Sequence, residues 1–182
     1  MPESTAPSEV DLRAYIRDIP DFPKPGIVFK DLTPLFLDGG ALARAIDLIA
    51  VYAAERETEL VVAAEARGFI LGAAVAARVG AGFIPARKPG KLPLETTSAE
   101  YALEYGVDAL EVHHDALAGG ARVLVHDDLL ATGGTAGALC ELVRAAGAQI
   151  AGCAFLVELA FLGGREQLGD VDVSSLITYD GS

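Results

Sequence analysis

Positive charge is what this chain lacks. Its 14 lysines and arginines stand against 26 aspartates and glutamates, for a formal net charge of -12 over 182 residues. General nucleic-acid binding rests on neutralising phosphates with Lys and Arg, so that class is disfavoured, and so is an anionic membrane surface. Cysteine is scarce as well. Cys140 and Cys153 have no metal-ligand spacing and sit in apolar surroundings, which reads as two reduced core thiols. No apolar run is long enough for a bilayer. The quietest stretch, "GFILGAAVAA" from Gly68 to Ala77, lies between Arg67 and Arg78, far short of the roughly 20 residues a spanning helix needs. The opening "MPESTAPSEV" lacks a basic start and an apolar core, so it reads as a polar arm rather than a secretory signal, and the expected location is the cytoplasm. The chain also has no internal repeat, no Walker lysine and no G-x-G-x-x-G, which weakens nucleoside triphosphatase and dinucleotide readings.

What is present is apolar and regular. Hydrophobic residues make up 52% of the chain, enough for one domain with a sizeable core. "ELVVAA" (59–64), "GFIPAR" (82–87), "RVLVHD" (122–127) and "QIAGCAFLVEL" (149–159) read as buried strands. Between them, "RGFILGAAVAARVG" closed by Gly80 and "TAGALCELVRAAGA" stopped by Gly147 read as helices. Earlier, "ALARAIDLIAVYAAERE" is amphipathic, with Ala41, Ala45, Leu48 and Ile49 on its apolar side. Near-continuous apolar strands alternating with helices predict an α/β fold: a central, mainly parallel sheet flanked by helices, in a single domain. Two segments break the alternation. "IPDFPKPGIVFKDLTPLF" (19–36) carries four prolines, and "KPGKLPLETTSAEYALEYG" (88–106) is long and mixed in charge. Loops of that length in compact domains are commonly functional.

The chemistry concentrates in "VLVHDDLLATGGTAG". In an open parallel sheet ligands bind beyond the carboxyl ends of the strands, and Asp127 and Asp128 stand at such an end. Ala131, Thr132, Gly133, Gly134 and Thr135 then offer backbone N–H groups and hydroxyls, and the loop runs into a helix N-terminus whose dipole suits a phosphate. His126 reads as a strand residue hydrogen-bonded at the sheet face. His113 and His114 lack metal spacing and read as surface residues.

This stretch resembles the phosphoribosyl pyrophosphate signature of the type I phosphoribosyltransferases. The resemblance implies that the two carboxylates hold the ribose 2′- and 3′-hydroxyls while the loop cradles the 5′-phosphate. It extends from Ile16 to Tyr179 and narrows to the adenine-using branch. Residues 10–36 are then a small N-terminal hood, in which Phe29 stacks on adenine while Val28 and Lys30 offer main-chain groups to its edge. "ARGF" is similar to the pyrophosphate loop, with Arg67 as an anion ligand, although Ala64 stands just before it where the family often has glycine. "ARKPGKLP" would supply Arg87, Lys88 and Lys91 to the pyrophosphate, partly across a homodimer. "ALEYG" is similar to the motif of a flexible catalytic loop (88–106), with Glu104 acting at purine N7 and Tyr105 ordering the closed loop.

By the same resemblance, the expected reaction transfers ribose 5-phosphate from phosphoribosyl pyrophosphate to N9 of adenine, giving AMP and pyrophosphate. Mg²⁺ would be held mainly by substrate and water, with no protein ligand assigned. No nucleic acid or membrane partner is expected. The sugar-phosphate motif does not choose the base, so another purine or xanthine phosphoribosyltransferase remains an alternative, as does a regulatory protein that senses the sugar or a purine.

Overall fold

The computed structural model describes residues 11–103, 106–117 and 119–181. They form two compact units, one within Met1–Ala45 and the other Ile46–Gly181.

The first unit begins with a 3-10 turn, Leu12–Tyr15, capped by Asp11, whose side chain accepts from the Arg13 N–H at 3.0 Å. Two short strands follow, β1 (Arg17–Pro20) and β2 (Val28–Asp31), paired antiparallel from Arg17 opposite Asp31 to Pro20 opposite Val28. The prolines that hid them lie at the end of β1 and in the connection, where they cost no ladder donor inside the pair. Asp21 closes that connection by accepting from the Gly26 N–H at 2.7 Å. Arg17 grips Asp31 through Nε and Nη2 at 3.1 and 2.6 Å. Asp31 also accepts from the Thr33 hydroxyl and amide at 2.6 and 3.0 Å, which starts α1 (Thr33–Leu37). The Thr33 hydroxyl foremost, then Arg17, pulls the Asp31 carboxyl down to about 2. Asp38 accepts from the Ala41 N–H at 2.8 Å at the start of α2 (Gly39–Glu55), which buries Ala41, Ala45, Ile49 and Ala53 at helical spacing and continues into the second unit.

The second unit holds a five-stranded parallel sheet in the order β4-β3-β7-β8-β9. Its strands are β3 (Leu60–Ala64), β4 (Gly82–Ala86), β7 (Arg122–Leu130), β8 (Gln149–Leu159) and β9 (Val173–Tyr179). Two helices pack on it, α3 (Gly68–Val79) and α4 (Gly134–Ala145). Val62, Val123, Val125, Cys153 and Phe155 share one core cluster with Leu139, Leu142 and Val143 of α4. Residues that alternate with these strand positions, Ala63 and His126, lie under α3. A methyl on Gly72 of α3 would meet Ala63 Cβ at 2.9 Å and His126 Cδ2 at 3.3 Å, so glycine is what lets this helix approach. The expected central parallel sheet flanked by helices is therefore present, with β9 as an edge strand that the apolar pattern did not single out.

Segment 88–106 is more regular than a long loop. Thr96–Leu103 forms β5, paired antiparallel with β6 (Gly106–His113) from Thr96 opposite His113 to Leu103 opposite Gly106. Ala99, Leu110 and Val112 are buried beside α4 in the main cluster. Alanines and glutamates interrupt the β-formers here, which masked a strand whose pairing supplies the order. Arg87 bridges β4 to this hairpin by exchanging backbone hydrogen bonds with Glu111 at 2.8 and 2.7 Å. Among the described residues no helix is long and apolar enough to cross a membrane.

Candidate functional site

The strand order fixes where a ligand fits. β3 has β4 on one side, and the chain then crosses back to place β7 on the other, so β3 and β7 flank a topological switch point. Crevices at the carboxyl ends of such strands take ligands. Arg67 follows β3 there, and Asp127 and Asp128 lie in the last residues of β7. The strand runs on to Leu130, past the expected end at Asp127, because Leu129 and Leu130 still pair with Val157 and Glu158 of β8.

The two aspartates, Asp128 buried and Asp127 partly so, meet in an electrostatically tense arrangement. Asp127 Oδ1 accepts from the Asp128 N–H at 2.9 Å and would lie 2.8 Å from a methyl on Gly68, so the start of α3 closes tightly on it. Asp128 is 3% exposed, and its Oδ2 has no hydrogen-bond donor although Arg67 Nε lies 3.0 Å away. That contact is ionic proximity rather than an aligned hydrogen bond. Burial first, then the charge of Asp128, pushes the Asp127 carboxyl well up. Burial also raises Asp128, while Arg67 opposes the rise. A buried carboxylate oxygen without a donor is costly unless something occupies it, and a sugar hydroxyl is a donor of suitable size.

Beyond β7, Ala131 to Gly134 turn into α4. Gly133 is the helix N-cap at φ +87°, a conformation for which glycine is suited, and no side chain caps the helix. Leu129 to Ala136 line a concavity of about 70 Å³. Gly164 presses on the loop from behind: a methyl on it would meet Ala131 O at 2.2 Å, and one on Gly133 would meet Gly164 O at 2.5 Å. Gly164, missed in the sequence, is thus part of the loop's support, and the pair Gly163-Gly164 between β8 and β9 was the available signal. A larger cavity of about 340 Å³ lies between β5 and this loop, lined by Glu100, Tyr101, Thr132, Gly134 and Gln167 among others.

Two of the remaining cations, Arg87 and Lys88, are already engaged. Arg87 Nε and Nη2 both reach Glu65 Oε2 at 3.0 Å, and the Lys88 N–H donates to Glu65 Oε1 at 2.5 Å. Lys88 Nζ ion-pairs with Asp108 and lies 3.1 Å from the Tyr101 hydroxyl. Burial would raise Glu65, yet the Lys88 N–H and Arg87 together hold it below its usual value. Lys91 is exposed in the turn after β4. The Glu65–Ala66 peptide, just past Ala64, is cis.

His126 is fully buried, and its Nδ1–H donates to Ala154 O at 2.8 Å, as read from its place on the strand. Burial pushes its imidazole down to about 4 and leaves Nε2 unpartnered. The two cysteines are free and buried, with their sulfurs 3.7 Å apart. His114 Nδ1 lies 3.1 Å from the Thr97 hydroxyl.

Arg67, Asp127, Asp128 and the 131–135 loop thus share one end of the sheet. Val28, Phe29 and Lys30 lie on β2 of the first unit, where Phe29 packs edge-on against Phe22 at 5.2 Å and Lys30 pairs with Asp18 at 2.8 Å. Glu104 and Tyr105 fall outside the described residues.

Known proteins share both sequence and architecture with this chain. An adenine phosphoribosyltransferase of Koribacter versatilis is 57% identical over 177 residues, covering 97% of each chain. The crystal structure of an adenine phosphoribosyltransferase from Thermoanaerobacter pseudethanolicus superposes with a TM-score of 0.89 at 51% identity, covering 92% of this chain and 98% of that one. One from Saccharomyces cerevisiae, complexed with adenine and an imino-altritol bisphosphate, gives 0.87 at 38% identity, covering 91% and 96%. A family model for the phosphoribosyl transferase domain matches residues 36–178, a span that takes in the parallel sheet up to Thr178 of β9, the acidic pair and its loop. The switch-point crevice and that match agree: the chain belongs to the phosphoribosyl transferase domain family.

Proposed function

We propose that this chain is an adenine phosphoribosyltransferase, joining ribose 5-phosphate from phosphoribosyl pyrophosphate to N9 of adenine and releasing pyrophosphate. The carrying observation is the Asp127–Asp128 pair, with its donorless Asp128 Oδ2, followed at once by a glycine-built loop at a helix N-terminus. Carboxylates suit the hydroxyl edge of the ribose, and backbone N–H groups suit its 5′-phosphate. A local site of this kind needs no lysine, which fits a chain of net charge -12.

In this reading Asp127 and Asp128 accept from the sugar hydroxyls. Ala131, Thr132, Gly133, Gly134 and Thr135 hold the 5′-phosphate. Arg67, Arg87, Lys88 and Lys91 attract the pyrophosphate as the C1–O bond breaks and positive charge develops on the sugar. Lys88 would exchange Asp108 for that anion. Val28, Phe29 and Lys30 receive adenine. Glu104 acts at purine N7 and Tyr105 orders the loop over the site, excluding water.

Mg²⁺ belongs to this reading. The ion would be held mainly by the substrate and water, on the side of the site where the carboxylates of Asp127 and Asp128 stand. When bound, the ion neutralises charge on the leaving pyrophosphate. A cytoplasmic homodimer completes the proposal.

Pyrophosphate release measured with adenine, hypoxanthine, guanine, xanthine and uracil tests it. Release with adenine alone, accompanied by AMP, is expected. Release with another base instead reassigns the substrate, and release with none removes the enzymatic reading.

A further inference from the structure

Two cationic turns leave adjacent strands at the same sheet end: 65–67 after β3, carrying Arg67, and 87–91 after β4, carrying Arg87, Lys88 and Lys91. Glu65 joins them. Its amide donates to Ala86 O at 2.9 Å, continuing the β3–β4 ladder by one residue. Its carboxylate takes both Arg87 nitrogens on Oε2 and the Lys88 amide on Oε1, so each oxygen has its own task. The Glu65 side chain is partly buried and Arg87 is about one-third exposed (15% and 36%), so the guanidinium retains an open side while the carboxylate holds the other.

We propose that Glu65 is a positioning residue for the reaction, fixing the Arg87 guanidinium and the Lys88 amide so that the two turns present their cations to one pyrophosphate group. This rests on the phosphoribosyltransferase reading above. A guanidinium pinned through Nε and one terminal nitrogen still has another terminal nitrogen for an anion, and its rotation about the side-chain axis is removed beforehand. Holding such a donor before the substrate arrives lowers the ordering cost of binding. Charge balance agrees, because the Glu65 carboxylate feels both Arg87 and Lys91 and offsets their like charge.

The test is steady-state kinetics of AMP formation by wild type, Glu65→Gln, Arg87→Lys, Arg87→Ala and the double variant Glu65→Gln/Arg87→Ala. Glutamine cannot satisfy the guanidinium and the Lys88 amide with two acceptors, so the Michaelis constant for phosphoribosyl pyrophosphate should rise about 10-fold while that for adenine stays near wild type. Arg87→Lys, which keeps the charge and loses the fork, should reproduce that rise. Adding Glu65→Gln to Arg87→Ala should cause a smaller loss than Glu65→Gln alone, because only the Lys88 amide is then left for the glutamate to hold. Equal losses for both substrates, or full additivity in the double variant, would overturn the positioning role. Should Glu65→Gln fail to fold, Arg87→Lys still decides: a normal Michaelis constant for phosphoribosyl pyrophosphate refutes it. A wild-type protein that makes no AMP refutes the functional reading itself, whereas an active wild type with a normal Glu65→Gln refutes the positioning alone.

Discussion

Arg67 Nε stands 3.0 Å from Asp128 Oδ2 at the switch point between β3 and β7, linking the turn after β3 to the acidic pair of β7. Arg67 pulls the Asp128 carboxyl down against the burial that raises it. Arg67→Met removes that pull, so Asp128 keeps its proton to higher pH. The acid limb of kcat/KM for phosphoribosyl pyrophosphate should therefore move to higher pH in the variant. A pH profile that merely drops in height, with its acid limb unmoved, would show that the arginine does not tune this carboxylate.

Asp127 is held in the fold against its own electrostatics. A carboxyl whose folded pKa lies above its unfolded value, near 3.8, favours the folded state least once pH has risen through the folded pKa. Asp127→Asn should therefore raise the melting temperature at pH 7 to 8, and the gain should vanish below about pH 3.8. Relief of such a buried charge is worth about 1–3 kcal/mol, or a few degrees in a chain of this size. AMP formation should fall about 10- to 100-fold through the lost charged acceptor. An asparagine variant no more stable than wild type at pH 8 would contradict this cost.

Gly133, in the turn before α4, and Gly164 behind it make a steric claim. A methyl on Gly164 would come within 2.2 Å of Ala131 O, and one on Gly133 would lie 2.5 Å from Gly164 O at a φ of +87°. Gly133→Ala and Gly164→Ala should each lower stability by about 1–3 kcal/mol and weaken phosphoribosyl pyrophosphate binding. Gly137→Ala is the matched control, since that glycine is inside α4 with nothing within 4 Å of a new methyl. It should be neutral or stabilising by up to about 1 kcal/mol. Chemical denaturation and ligand titration distinguish the three, and a benign Gly164→Ala would show that the loop backing can yield.

His126 should sensitise the fold to acid. Its imidazole, buried under α3, falls from 6.5 to about 4, so between those values the unfolded chain takes up a proton that the folded chain refuses. Its contribution is fully present above pH 6.5 and is lost as pH falls toward 4, by about 3 kcal/mol in all. The raised aspartates titrate with the opposite sign, so the comparison must be between His126→Val and wild type. The variant should lose less stability between pH 7 and 4.5, even if it starts lower for want of the Ala154 hydrogen bond. Parallel stability curves would remove the histidine from the acid response.

Residue order alone determined the alternation of strand and helix around the parallel sheet. Runs such as Gln149–Leu159 are apolar on both faces, and only a strand covered from both sides uses such a run. It also determined the acidic pair and its glycine loop, because their chemistry is local: adjacent carboxylates, then backbone donors, then a helix start. What it left open depends on partners distant in the chain. β1, β2 and β5 carry prolines, alanines or charges that weaken their own propensity, and they become strands through cross-strand pairing. Gly164 supports a loop some 30 residues earlier, and Glu65 reaches Arg87 and Lys88 only because β3 and β4 lie side by side. His126 read as a hydrogen-bonded strand residue, and its partner, Ala154 O, and its full burial came only with β8 and α3 packed around it. Local chemistry can be read from residue order, whereas the burial and pairing that tune it arise only when the sheet assembles.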